Sequence, residues 1–415
     1  MNSSAIPRIK LLAVMEPKTV TGAAKNMLEF CYGAQELEAK LRDLPAVDTS
    51  IVTFERGPKS VLTPGQTRDR RDTVEGQSPN EFVTSARQIG VEVDVIPERI
   101  RFDLRVVSDL RRIVALRQPD LILTHHVKSH FVMRLSKLWQ DYPWIAFHHG
   151  YTKTQPRERI YNRMDRLSLP KADRVVTVCE AFANELTRLA GVPRERIHVQ
   201  HNSIRPEPMG NDEETKGLRR DFNIGPDERL VVSIGRLSRE KGHIDLLLAF
   251  KHLREVHPEI KSKLVIIGDG PERGKLVATA RSFRIADMVI FPGQIRNIQP
   301  YYGLADVVAL PSHSEGSPYV LLEAMAAKVP IVATAVGGVP EMVDDEESAL
   351  LVPALDPRAM AAAIARILTH PQLALKLTEN ASTLVTTRYA PETQIRSLIQ
   401  LYRSVVTIRE RAKSI

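Results

Sequence analysis

Pro311-Ser-His-Ser-Glu315-Gly-Ser-Pro-Tyr-Val-Leu-Leu-Glu323-Ala-Met-Ala-Ala-Lys328 joins a short apolar strand, Asp306 to Leu310, to a helix-forming run. Glu315 and Glu323 are eight positions apart, a little over two helical turns, so both carboxylates can lie near one face of the strand–helix junction. Between them Gly316-Ser317-Pro318 opens the helix. An opening helix offers backbone N–H groups and a positive dipole end to a phosphate. One acid near a diphosphate and another reaching ribose hydroxyls suits a nucleotide sugar; two solvated acids on an amphipathic helix would show the same spacing.

Outward from this stretch, strand and helix patterns alternate. Apolar runs at Arg8 to Met15, Val47 to Phe54, Val91 to Ile96, Asp120 to Thr124, Trp144 to His148, Arg174 to Val178 and Ile197 to Gln200 make one series. A second begins at Leu230 and continues at Lys263, Met288, Asp306, Pro330 and Ala349. Such alternation predicts parallel, doubly wound α/β sheets. At 415 residues the chain is too long for one ordinary core. The polar stretch from Arg205 to Glu214 reads as a linker, and Arg56 to Asn80 as a mobile surface loop. The expected division is an acceptor-side domain over 1–204, a linker over 205–216, a donor domain over 217–390 and a final helix over 391–415.

In the second series, Gly235-Arg236-Leu-Ser-Arg-Glu-Lys241-Gly242 follows a strand and precedes a helix, where open α/β sheets bind ligands. Arg236 can clamp two phosphate oxygens and Lys241 adds a compact charge. These cations could stabilise a leaving diphosphate without a metal. Nearby are Ile266-Ile-Gly268-Asp-Gly270-Pro271 and Phe291-Pro-Gly293-Gln-Ile295, whose glycines would let backbone approach a nucleotide. In the first series, Thr21-Gly22-Ala-Ala follows the first strand and Phe147-His148-His149-Gly150 ends another.

The run from Pro311 to Glu341, with two Glu separated by seven residues and then Gly337-Gly-Val-Pro-Glu341, resembles the donor-binding signature of the retaining glycosyltransferases of family 4 (glycosyl transferases group 1). The resemblance covers nearly the whole chain and is densest from Gly235 to Glu341. It implies the GT-B fold: two Rossmann-like domains with parallel sheets facing across a cleft, and a C-terminal helix crossing back to the first domain. It further implies a sugar transfer from a UDP- or GDP-sugar to an acceptor hydroxyl, in cell-surface polysaccharide, lipopolysaccharide or glycolipid synthesis. His149, Arg236, Lys241 and Glu315 match the catalytic positions, with His148 competing for the place of His149. Gly22, Gly235, Gly268, Ile295, Gly316, Ser317, Tyr319, Val320 and Glu323 match donor-binding ones, Ile295 through its backbone to the base. The family usually has Gly near Lys328; at a helix end a Lys suits the dipole. Asn202 matches the Asn of a family Asn-Gly-Val-Asp element, here Asn-Ser-Ile-Arg.

Acceptor contacts are expected from His125, His126, Lys153 and Arg157. His126 and His130 are four apart, but no acidic or cysteine partner is near in sequence, and no metal site is expected. A nucleotide-sugar 2-epimerase of the same fold and a non-catalytic sugar-binding assembly protein are the rival readings.

Composition excludes other classes. Charged residues make up 26% and hydrophobic ones 43%, ordinary for a soluble chain, and no apolar run approaches a membrane span. The start lacks a signal-peptide pattern, and two cysteines, Cys31 and Cys179, build no disulfide framework, so a cytoplasmic setting is expected. Residues 101–200 hold 18 Lys/Arg against 10 Asp/Glu, while the remainder balances 40 against 40. That local surplus suggests an anionic partner, as in weak peripheral association with the inner face of the cytoplasmic membrane. No groove-reading motif points to nucleic acid.

Overall fold

The computed structural model describes residues 8–17, 19–20, 22–56, 80–100, 103–151, 156–207 and 212–413, without the side chains of 156–158, 212 and 412–413. The loop residues 57–79, Thr21, Arg101, Phe102, Lys153, the linker residues 208–211 and the Arg157 side chain therefore lie outside the described residues. Contacts divide the chain into two compact units. The first runs to Val178, resumes over Phe182–Gln200 and includes the helix from Pro391; the second holds Cys179–Ala181 and His201–Ala390.

Unit 1 is built on seven parallel strands: β1 (Ile9–Val14), β2 (Val47–Arg56), β3 (Glu92–Glu98), β4 (Leu121–Thr124), β5 (Trp144–His148), β6 (Arg174–Thr177) and β7 (Ile197–Val199). Their order is β3-β2-β1-β4-β5-β6-β7. Strand β1 is apolar on both faces because helices cover both: Leu11 and Ala13 enter one core, Leu12 and Val14 the other. Its helices are α1 (Ala23–Leu37), α2 (Glu81–Gln88), α3 (Arg105–Arg117), α4 (Val127–Ser136), α5 (Leu138–Asp141), α6 (Pro156–Ser168) and α7 (Glu180–Ala190). The Asn80 side chain starts α2 by accepting from the N–H groups of Phe82 and Val83 at 3.1 and 3.3 Å.

Helix α3 buries one face only. Val106, Leu110 and Val114 face the core, but Leu104 is 70% exposed. The Asp103 carboxylate accepts from the Arg105 guanidinium at 2.8 and 2.9 Å and from Arg99 N–H at 3.1 Å, which fixes the turn so that Leu104 caps α3 from outside. Its basic residues are also largely paired, Arg117 with Glu92 and Asp94.

Unit 2 carries six parallel strands, β8 (Arg229–Ile234), β9 (Ser262–Ile267), β10 (Val289–Gly293), β11 (Val307–Leu310), β12 (Ile331–Thr334) and β13 (Leu350–Val352), in the order β10-β9-β8-β11-β12-β13. Around them lie α8 (Asp212–Asp221), α9 (His243–Val256), α10 (Arg273–Ser282), α11 (Gln299–Leu304), α12 (Tyr319–Ala326), α13 (Val339–Met342), α14 (Pro357–Thr369) and α15 (Pro371–Thr387). Ile204 packs in this unit's core and donates its N–H to the Tyr389 carbonyl at 3.0 Å. Lys328, just past α12, has φ +55°. The left-handed conformation, more than the helix dipole, is what favours Gly there, and a Lys carries strain in it.

The last helix, α16 (Pro391–Lys413), belongs to unit 1. Ile395, Leu398, Ile399, Tyr402 and Val405 enter the β1 core, with Tyr402 edge-on to Phe30 at 5.5 Å. Gly33 of α1 leaves room for Ile395, which a methyl group there would overlap.

Candidate active site

In unit 2 the signature residues gather at the carboxyl ends of β8, β11 and β12. After β8 the chain makes a tight turn over Arg239–Lys241 and passes Gly242 at φ +65°. A methyl group on Gly242 would overlap the Pro311 carbonyl, so this turn lies directly on the loop after β11. The contact brings Lys241 Nζ to 2.7 Å from Glu315 Oε1. Ser312 donates its hydroxyl to the same oxygen at 2.6 Å, and Thr334 of β12 donates to the Ser312 carbonyl at 2.5 Å. Glu315 is buried, so its carboxylate is held by a cation and a hydroxyl in one orientation. Arg236 is exposed at the start of the same loop.

Helix α12 begins after Pro318 and carries Tyr319, Val320 and Glu323. Tyr302, nearly fully buried at the end of α11, donates its hydroxyl to Glu323 Oε2 at 2.9 Å. Burial, then the neighbouring Glu323 carboxylate, push the Tyr302 hydroxyl well above the ordinary tyrosine range, so it stays a donor. Asn202 anchors the start of α12: its N–H donates to the Ser317 hydroxyl at 2.9 Å and its side-chain amide to the Ser317 carbonyl at 2.6 Å. Gly337 and Gly338 press against Glu315 and Gly316 from the β12 side, and Gly338 N–H donates to the Glu315 carbonyl at 3.1 Å. Glu341, which ends that turn, accepts from the N–H groups of Glu180 and Ala181, residues of the same unit, at 2.9 and 3.2 Å.

The glycines after β9 are required by contacts within the protein itself. A methyl group on Gly268 would overlap the Gly235 carbonyl, and one on Gly270 the Leu237 carbonyl. They let two backbone loops of the protein touch. Ile295 is half-buried against the apolar cluster around Tyr301.

In unit 1, Gly22 at φ +51° precedes α1, and a methyl group on it would meet open space, so its need for glycine is conformational. The histidines collect where β4 and β5 end. His125 is buried, stacks on Phe147 at 4.4 Å, and finds no hydrogen bond for either ring nitrogen among the described residues. Burial, then neighbouring histidines, hold it well below the ordinary histidine range and push His126 down to about 4. His149 keeps exposed surface, yet the protein around it, then His126, His148 and His130, lower it as well. These three rings are neutral at pH 7 and suit hydroxyl groups rather than anions.

His130 has the acidic partner that sequence proximity did not reveal. Asp165 of α6, 35 positions on, sits 2.6 Å from it. Among the described residues no three His, Cys, Asp or Glu side chains are grouped to hold a metal. Tyr302 and Asp165 were missed because each acts on a residue brought near only by the fold; the Tyr301-Tyr302 pair just before a strand, and Ser312 three positions ahead of Glu315, were the local signals.

Comparisons agree with this geometry. Residues 214–383 match the family Glycosyl transferases group 1, and residues 60–208 match Glycosyltransferase Family 4. The chain is 30% identical to a D-inositol 3-phosphate glycosyltransferase of Acidothermus cellulolyticus, over 72% of this chain and 71% of that protein. It is 24% identical to the N-acetyl-alpha-D-glucosaminyl L-malate synthase of Bacillus anthracis, over 74% and 80% respectively. In fold it is similar to Anabaena HepE, crystallised with UDP, with TM-score 0.76 at 18% identity, over 95% of this chain and 100% of that one. With its two Rossmann-like units and these relatives, the chain belongs to the family 4 glycosyltransferases of GT-B fold.

Proposed function

We propose that the protein is a retaining glycosyltransferase that moves a sugar from a UDP- or GDP-sugar to an acceptor hydroxyl. One observation carries this reading: the Lys241–Glu315 ion pair at 2.7 Å, oriented by Ser312, stands one short helix away from the Tyr302-held Glu323. Glu323 takes the ribose, the opening of α12 and the cations Arg236 and Lys241 take the diphosphate, and Glu315 takes hexose hydroxyls. Retention follows from front-face attack, with the leaving phosphate accepting the acceptor's proton. Charge developing on that phosphate meets fixed cations, so no metal is required.

In unit 1, His125, His126 and a histidine at the end of β5 receive hydroxyl groups. One relative is named for inositol 3-phosphate, and the neutral imidazoles favour a carbohydrate or polyol end on the acceptor. A lipid-linked acceptor, with the enzyme peripheral on the inner membrane face, fits the basic region; no helix among the described residues is long and apolar enough to cross a membrane.

The test is a thermal-shift screen with UDP, GDP, ADP and their common sugars, followed by product analysis with and without acceptor. A uridine or guanosine diphosphate sugar should stabilise the fold by mass action. Conversion of a lone UDP-sugar to its epimer would establish the 2-epimerase instead, and no stabilisation by any nucleotide would overturn the donor site.

A further inference from the structure

His313 joins the two loops of unit 2 that carry Lys241 and Glu315. Its main-chain N–H donates to the Glu240 carbonyl at 2.8 Å. Its ring turns to the first turn of α9, where Nε2 lies 2.6 Å from Asp245 Oδ2. A carboxylate only accepts, so Nε2 is the donor whether the ring carries one proton or two. One residue thus holds the chain on both sides of Lys241, through the residue before it and the residue four after it. Glu315, the partner of Lys241, stands two positions beyond His313.

Gly242 fills the space between these two attachments. A methyl group there would meet the Pro311 carbonyl and then His313 Nε2, so the ring lies over a position that glycine leaves open. Lys241 reaches Glu315 on a flexible four-carbon stem, and its ammonium goes where the backbone beneath it is held. Ser312 fixes the same Glu315 oxygen from the other side at 2.6 Å. His313 and Asp245 are both partly exposed, and such a pair adds little to global stability. Its consequence is directional: it sets a cation on one loop against a carboxylate on another.

We propose that His313 and Asp245 are positioning residues, a staple that sets the loop after β8 against the loop after β11 and aims Lys241 at the leaving diphosphate. The aim at the diphosphate rests on the glycosyltransferase reading; the staple does not. Neither side chain is assigned a contact with donor or acceptor.

The experiment compares His313→Asn with His313→Gln in the full chain. A glutamine amide nitrogen falls near the place of imidazole Nε2 and still donates to Asp245, whereas an asparagine amide reaches only as far as Nδ1. Both variants keep the main-chain bond to Glu240. The first readout needs no substrate: lysines are acylated with a succinimidyl ester and read by mass spectrometry, with exposed Lys275 as internal standard. Lys241 should label faster in H313N by roughly two- to tenfold, the population change that one lost hydrogen bond allows, and at the wild-type rate in H313Q. Equal labelling in H313N and wild type, or equally fast labelling in H313N and H313Q, overturns the staple. With the donor and acceptor identified by the screen, H313N should lower kcat by roughly 10- to 10²-fold, the scale of a misplaced group, with the donor KM nearly unchanged. H313Q should restore kcat. A folded H313N that melts earlier but keeps the wild-type kcat has lost only a structural contact, which overturns the aim at the diphosphate. Should H313N fail to fold, Asp245→Asn removes the charge from the other end of the bond and is read in both assays by the same criteria. Failure of every donor in the screen would remove the glycosyltransferase reading while leaving the labelling result valid.

Discussion

A methyl group on Gly337 would overlap the carbonyl oxygen of Glu315, so the turn after β12 and the loop after β11 lie backbone against backbone. Gly337 also has φ +55°, which a side chain disfavours. Gly337→Ala should therefore cost about 1–3 kcal/mol of stability. Because relief of the overlap has to move Glu315 off Lys241, transfer should fall by more than unfolding explains. Chemical denaturation and initial rates below the melting range would show both effects; wild-type rates in the variant would mean that Glu315 is not held by this contact.

Arg236→Ala and Lys241→Ala should each slow transfer by roughly 10²-fold, the usual loss when a donor to developing charge is removed. Their stabilities should differ. Arg236 is exposed, so its removal should change stability by no more than about 0.5 kcal/mol. Loss of Lys241 leaves buried Glu315 with Ser312 as its polar partner in this contact and should lower the melting temperature. Rates measured in EDTA should match those without it, and metal-reversible inhibition would contradict the cationic mechanism.

Tyr302→Phe should loosen Glu323 without touching the ligand. A lost hydrogen bond to a charged group is worth about 1.5 kcal/mol or more, so the Kd for UDP or GDP should rise roughly tenfold. Glu323→Ala should weaken binding by about 1–3 kcal/mol. Calorimetric titration checks both, and wild-type affinity in Glu323→Ala would remove the ribose assignment.

Acid should destabilise unit 2 through His243. This buried ring is pushed down to about 4 by burial, with Lys241 adding to the shift and Glu240 opposing it. An unfolded histidine titrates near 6.5. The unfolded chain therefore binds the proton first, stability is complete above about 6.5, and it declines as pH falls toward about 4. Between pH 7 and pH 5 the loss should be on the order of 1–2 kcal/mol for this group. His243→Asn should remove that part of the slope in denaturant midpoints at the two pH values; an unchanged slope would show that the ring is not the cause.

Membrane association, if the acceptor is lipid-linked, should centre on α6. Ile160 and Leu167 are 64% and 57% exposed, with Arg159 and Arg163 exposed beside them. Each basic group near an anionic surface contributes about 1 kcal/mol, screened by salt over roughly 8–10 Å. Co-sedimentation with anionic vesicles should fall at high salt and fall again in an Ile160→Ser, Leu167→Ser double variant. Equal binding to neutral vesicles, or no binding at low salt, would turn the surface into a docking face for a soluble anion.

The strands were legible because β1 and β8 are largely apolar runs, and Glu315 and Glu323 because they share one loop and the helix after it; Lys241 was legible only through its own loop, since its contact with Glu315 spans 74 residues. Asp165 and Tyr302 were not, since their partners are 35 and 21 residues away and only packing unites them. Lys328 looked harmless as a charge near a helix end, but its backbone sign cannot be read from residue type.

The C-terminal helix gives the chain an unusual order of assembly on the ribosome. One face of the unit 1 sheet is sealed by residues up to Ile197, but the other needs Ile395 to Val405. Unit 2, made of Cys179–Ala181 and His201–Ala390, is complete in the chain by Ala390 and can close earlier. The first unit to be synthesised is thus the last to finish, and until then its nascent β1–α1 surface is left uncovered, a natural client for a chaperone.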